Sequence, residues 1–259
     1  MLLFFAILFL TAAAAPAAHP KRGFVADGCV GPTCQTRSLL SGASWYYAYN
    51  PLDPFSGAGT APHGDFVPMH WCLTGLNASL PPGTNATFLL GQNEPNNVHN
   101  CNSSPQKIAE AWATVLARWG DGAVQLVSPA TAGDGRPWLD AFFGNCTALY
   151  GPKGCRLSYV AVHDYTCTPA SLLSYLSDVH DRYNLPVWLT EFSCGDGAQN
   201  KPMADNLAYM KAVFPLLDAA DFVFRYAWMS AHNGPRALVD GTVGGQQTLT
   251  PVGELFNSV

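Results

Sequence analysis

Charge is scarce in this 259-residue chain: 12% of residues are Asp, Glu, Lys or Arg, and 13 Lys+Arg stand against 18 Asp+Glu. With a formal charge of -5 and no basic stripe, it lacks the surface that phosphate backbones require, so nucleic acid is not an expected partner. No C-x2-C pair or H-E-x-x-H occurs, which removes the common zinc patterns; neither a metal nor an organic cofactor is expected. The stretch from Gly57 to Pro62 lacks the third glycine of a dinucleotide fingerprint, and there is no G-x-S-x-G nucleophile elbow. Beyond the N-terminal segment no apolar run is long enough to span a bilayer. No Pro/Ser-rich linker or internal repeat divides the chain, so one large domain is expected.

Apolar residues are plentiful at 48%, with 24 Gly, 20 Pro, 7 Trp, 10 Tyr and 14 Phe, which suits a large core and many structured loops. Met1 to Leu10 is an almost unbroken apolar run followed by small residues to Ala18, the pattern of a secretory signal over residues 1–18, although a basic n-region is missing. Lys21-Arg22 reads either as a dibasic processing point or as a charged linker, so the mature domain is placed at residues 23–259. The expected setting is extracellular, at a cell wall, and a monomer is expected.

Eight cysteines in a secreted chain imply disulfides. Cys29 with Cys34 and Cys146 with Cys155 could each close a short turn, while Cys72 with Cys101 and Cys167 with Cys194 follow successive strands and could bridge neighbouring loops. Four N-glycosylation sequons begin at Asn77, Asn85, Asn102 and Asn145.

Apolar runs alternate with helical stretches. Strands are expected at Ser44–Tyr49, Asp65–Trp71, Thr87–Gly91, Val124–Ala130, Leu157–Tyr165, Val187–Phe192 and Phe222–Met229. Helices are expected near 105–119, 138–149, 169–183 and 203–217. This order argues for a parallel sheet with crossover helices, which either a barrel or an open doubly wound sheet satisfies. A barrel needs an eighth strand, for which the stretch between Trp71 and Thr87 offers an uncertain place.

Two carboxylates, Glu94 and Glu191, each end such an apolar strand where it opens onto a loop. In a parallel barrel that rim carries the chemistry. Cleavage of a glycosidic bond needs a pair of this kind, one group to protonate the departing oxygen and another to attack or shield the oxocarbenium-like carbon. The bland reading of each is a capping or buried hydrogen-bonded acid. His163 and Tyr165 alternate along one strand and share a face. Trp228 could stack on a pyranose, and Trp45, Tyr46 and Trp71 either extend that platform or belong to the core.

The segments Gly91-Gln92-Asn93-Glu94-Pro95-Asn96, Tyr159 to Tyr165, Trp188 to Cys194 and Arg225 to Trp228 resemble the successive strand ends of glycoside hydrolase family 128, compact (β/α)8 barrels acting on β-1,3-glucans. The resemblance implies that Glu94 on strand four is the acid/base and Glu191 on strand seven the nucleophile of a retaining endo-β-1,3-glucanase. It also leaves the missing strand in the N-terminal half. The carboxyls should then lie about 5 to 5.5 Å apart, with Glu94 kept protonated by the negative charge of Glu191. Asn93 would bond the sugar hydroxyl beside the reacting carbon. The chain departs from the family at Ala48-Tyr49, where Asn-Trp is common, and at Asn96, where Asp is common; both departures concern the cleft. The rival readings are a sugar-binding barrel without turnover and a hydrolase for another glucan linkage.

Overall fold

Eight parallel strands form, most of them from short apolar runs: β1 (His19–Val25), β2 (Ala43–Tyr47), β3 (Asp65–Phe66), β4 (Phe88–Leu89), β5 (Gln125–Thr131), β6 (Leu157–Asp164), β7 (Val187–Phe192) and β8 (Val223–Trp228). This computed structural model describes residues 18–29, 31, 33–56, 64–74, 76, 86–241 and 245–259; residues 1–17 of the expected leader, the stretch 57–63, and Asn77 and Asn85 of two sequons lie outside the described residues. The strand order is β3-β2-β1-β8-β7-β6-β5-β4, and a parallel bridge between Met69 and Leu90 joins its two ends. The sheet therefore closes on itself as a (β/α)8 barrel, and an open doubly wound sheet is excluded.

The eighth strand is β1, and most of the stretch between Trp71 and Thr87 lies outside the described residues. Lys21 and Arg22 lie within it, and the barrel begins before residue 23. The Lys21 ammonium donates to the carbonyls of Asp218 and Ala220, both at 2.9 Å, at the end of α5 (Met203–Ala219). Arg22 is buried and donates to the carbonyls of Phe256 (2.7 Å) and Val259 (2.6 Å) in and after α6 (Pro251–Ser258). Two cations thus occupy helix C-termini, where last-turn carbonyls lack partners and the dipole favours positive charge.

α1 (Thr36–Leu39) is a single turn, whereas α2 (Pro105–Trp119), α3 (Arg136–Tyr150) and α4 (Pro169–Tyr183) are full crossover helices after β4, β5 and β6. Proline opens each of the three in its first turn, where a missing N–H costs nothing. Ser104 additionally caps α2 by accepting from Lys107 N–H. A two-stranded ribbon, β9 (Val239–Asp240) with β10 (Thr248–Leu249), precedes α6.

Strand alternation sorts the side chains into two cores. Phe24, Tyr46, Val162, Leu189, Phe192, Tyr226 and Trp228 face the helices, while Val25, Trp45, Tyr47, Met69, Leu90, Ala161, Trp188 and Ala227 fill the barrel. At the floor, Trp45 and Trp188 meet edge to face at 4.9 Å, and the Arg225 guanidinium lies 4.7 Å from the Phe88 ring. Gly23 leaves room for this layer, since a Cβ there would lie 2.4 Å from the Trp45 indole. All four disulfides pair as the spacing suggested. No described helix is long and apolar enough to cross a membrane.

Candidate active site

Above that floor the strand ends converge on Glu94, His163 and Glu191. Glycine at 91 is required because β4 and β5 approach closely; a Cβ there would lie 2.6 Å from Pro129 N. The chain then turns at Glu94 with φ 43°, and the Glu94 N–H donates to Ala130 O at 2.7 Å, which aims the carboxyl across the barrel mouth. Glu191 reaches the same space through an offset in β7, where Leu189 pairs Tyr226 but Phe192 pairs Trp228.

His163 is fully buried between the two acids. Its Nδ1 lies 2.9 Å from Glu94 Oε1 and 3.4 Å from Glu191 Oε2, and its Nε2 lies 3.0 Å from Thr190 Oγ1. One ligand atom from each of Glu94, His163 and Glu191 falls within 4.8 Å of the others. Such a cluster could also hold a divalent cation. The other described group of this type, Cys29, Cys34 and His232, has its two sulfurs tied in a disulfide.

Glu191 accepts three phenol hydroxyls: Tyr49 at 2.8 Å and Tyr47 at 3.3 Å on Oε1, and Tyr165 at 2.6 Å on Oε2. Burial, and then the charge of Glu191, push all three phenols well above their usual range, so they remain donors. Glu94 accepts on its other oxygen from Asn97 Nδ2 (2.7 Å) and Asn100 Nδ2 (2.5 Å).

The proton balance differs from expectation. Burial works to raise the Glu94 pKa, but the hydrogen bond and charge of His163, followed by the two asparagine amides, outweigh it and hold the carboxyl below its ordinary range. Burial likewise works against a charged His163, yet Glu191 and then Glu94 raise its pKa above 6.5. Both directions favour the imidazole over Glu94 as the holder of a shared proton, whereas the sequence alone suggests Glu94. Asp164, whose side chain is turned away from this cluster and bonds Thr166, is raised by burial.

A cleft of about 500 Å³ opens over this cluster, lined among others by Tyr49, Trp71, Asn93, Asp196 and Met229. Of the expected residues, Glu94, Glu191, His163, Tyr165, Asn93 and Trp71 are brought together around it. Asn93 Oδ1 is buried without a protein partner there, and Trp71 is 37% exposed.

Trp45, Tyr46 and Trp228 are not at the cleft; all three are fully buried. Trp45 lies in the floor and donates to Lys21 O. Tyr46 faces the helix side and bonds Asp53, and Trp228 packs among Phe192, Tyr209 and Phe214 with its indole N–H on Arg236 O. The next residues in phase, Tyr47, Tyr49 and Met229, take the inward positions. Asn96 is likewise structural: its amide donates to Ala132 O (2.8 Å) and accepts from Ala132 N–H (2.9 Å), a two-way bond that aspartate could not make.

Two carboxylates at the C-terminal rim of a parallel barrel, joined by a buried histidine, define a glycoside hydrolase. Residues 28–256 match the family described as "Glycosyl hydrolase catalytic core". Among solved structures, the chain is similar to a GH128 subgroup I endo-beta-1,3-glucanase from Amycolatopsis mediterranei in complex with laminaritriose, at 28% identity and TM-score 0.76, covering 92% of this chain and 99% of that one. It is similar too to a subgroup II endo-beta-1,3-glucanase from Pseudomonas viridiflava, at 28% identity and TM-score 0.75, covering 94% and 99%. A curated relative, Alkali-sensitive linkage protein 1 of Schizosaccharomyces pombe, is 27% identical over 84% of this chain, which spans 40% of that protein's length. The chain belongs to the glycosyl hydrolase catalytic core family and, within it, to glycoside hydrolase family 128.

Proposed function

We propose that this chain is a secreted endo-β-1,3-glucanase that cleaves with retention, Glu94 serving as acid/base and Glu191 as nucleophile. The observation that supports the mechanism is that one oxygen of Glu94 and one of Glu191 lie within 4.8 Å of each other, with His163 between them, a near approach that suits the shorter of two spacings. An inverting enzyme leaves about 6.5 to 9.5 Å between its carboxyls for a water, whereas direct attack needs about 5 to 5.5 Å. The substrate class is supported by the endo-β-1,3-glucanases that resemble the chain over nearly its whole length. Secretion is supported by four disulfides.

Shifting one proton from His163 Nδ1 to Glu94 Oε1 turns the resting cluster into a neutral acid beside an anionic nucleophile without any change in its total proton count. Glu94 then protonates the glycosidic oxygen as that carbon–oxygen bond breaks and Glu191 bonds the anomeric carbon. Water next attacks that carbon, gives its proton to Glu94 and releases Glu191 as a carboxylate. Asn93 Oδ1 offers an acceptor to the neighbouring sugar hydroxyl, and Trp71 an apolar face to a bound ring.

The test is incubation of the purified protein, with Glu191→Ala as control, with laminari-oligosaccharides while proton NMR follows the anomer first released. Release of the β-anomer by the parent alone is the expected result. First release of the α-anomer overturns retention. Binding without cleavage makes the chain a sugar-binding barrel, and neither binding nor cleavage overturns the β-1,3 assignment.

A further inference from the structure

Both oxygens of Glu94 are occupied, and differently. Oε1 faces His163, while Oε2 accepts the Asn97 and Asn100 amides. The orientation of these amides is set by their other ends. Asn97 Oδ1 accepts from the His99 backbone N–H at 3.0 Å, and Asn100 Oδ1 accepts from Asn93 Nδ2 at 3.5 Å, so in each case it is the NH2 group that faces Glu94. The short segment that carries them is braced: Asn97 N–H donates to Glu94 O, Asn100 N–H to Asn97 O and Ser103 N–H to Pro95 O. Immediately beyond it, Cys101 is bonded to Cys72 after β3.

We propose that Asn97 and Asn100 are positioning residues that keep Glu94 Oε2 as a pure acceptor, so that the catalytic proton is carried and delivered by Oε1 alone. An O–H on Oε2 would confront two N–H donors with no acceptor between them, whereas Oε1 faces the one neighbour, His163, that can exchange a proton with it. The clamp also stops the carboxyl from rotating, which fixes the direction of proton transfer. The other titratable groups around Glu94 are Glu191 on β7, Tyr165 after β6, Tyr49 beyond β2, and Asp196 and His99 at the cleft; none of them donates to Oε2.

This inference rests on the glucanase reading for its kinetic arm, but not for its titration arm. Kinetically, the Asn97→Ala/Asn100→Ala protein is compared with the parent on laminari-oligosaccharides and on 2,4-dinitrophenyl β-laminaribioside, whose leaving group needs no proton. The expected loss on the oligosaccharide is about 10- to 100-fold, at least tenfold more than on the aryl glycoside. Removal of two donors from the carboxylate also moves the basic limb of kcat/KM to higher pH. Equal losses on both substrates, or an unmoved basic limb, overturn the proposal. Independently, carbon-13 NMR of the Glu94 carboxyl, with no substrate present, should titrate at higher pH in the variant; an unchanged titration overturns the clamp. A parent that cleaves nothing sinks the glucanase reading and leaves the clamp to be decided by that titration. Should the double variant not fold, the single substitutions N97A and N100A are read by the same ratio and titration.

Discussion

Replacing Tyr49 with Phe should slow one half of the catalytic cycle and spare the other. The Tyr49 hydroxyl lies 2.8 Å from Glu191 Oε1, and burial with the neighbouring carboxylate keeps it protonated. A hydrogen bond to a charged group contributes about 1.5–3 kcal/mol. In the proposed glycosyl-enzyme Glu191 is an ester and that bond is weak; as water attacks, the carboxylate re-forms and the bond strengthens. If about half the charge has developed in the transition state, the lost stabilisation is about 0.75–1.5 kcal/mol, or roughly 4- to 12-fold in deglycosylation. Glycosylation runs in the opposite sense, because the ground-state carboxylate loses a donor and becomes the better nucleophile. Stopped-flow release of dinitrophenolate from an aryl β-laminaribioside separates the two steps: the variant should show a clear burst and a lower steady rate. A burst rate that falls as much as the steady rate would refute the reasoning, because Tyr49 would then be shaping the cleft rather than holding the leaving carboxylate.

The raised pKa of His163 places the loss of the shared proton above pH 6.5, so the basic limb of kcat/KM should lie there and move when His163 is replaced by Gln. The same shift affects stability. The protonated imidazole between two carboxylates contributes fully below its unfolded pKa, and that contribution is lost as pH rises through the raised value, as thermal melts between pH 5 and 9 should show. Arg22→Met leaves the carbonyls of Phe256 and Val259 without their donor and should cost about 2–4 kcal/mol in urea unfolding. An unchanged midpoint would mean that β1 does not depend on this cap. Removing the Cys72–Cys101 bond by paired serines opens a loop of sequence separation 29 and should cost about 3–4 kcal/mol by chain entropy. That variant should also loosen the Asn97–Asn100 segment, seen as faster amide exchange there.

The strand ends that carry Glu94 and Glu191 were legible because a charged residue closing a buried apolar run has few other reasons to be there. β1 was not, because its sequence, His-Pro-Lys-Arg-Gly-Phe-Val, shows neither an apolar run nor alternation. Its two cations are satisfied by carbonyls of α5 and α6 more than 190 residues away, a partnership invisible to local pattern. Trp45, Tyr46 and Trp228 misled for a related reason. Strands buried on both faces are apolar throughout, so sequence does not say which face is the barrel interior. One inward residue fixes the phase, however: with Trp45 inside, Tyr47 and Tyr49 follow at steps of two, and that signal was available. Asn97 and Asn100 lay in a polar loop with no periodicity, and only the fold of that loop aims both amides at one oxygen.

Strict alternation would have sent Glu191 to the helix side with Leu189 and Val187. Three steps along β7 answer only two along β8, and one step along β6, from Val162 to His163, answers two along β7. The extra residue lets Thr190 and Glu191 both face inward. Thr190 Oγ1 then engages Nε2 of His163 while Glu191 stands beside its Nδ1. A single offset in register thus delivers the carboxylate proposed as nucleophile and orients the histidine beside the proposed acid. Shortening β7 by one residue at this point would withdraw both together, so its effect should resemble loss of Glu191 and His163 at once rather than a partial defect in either.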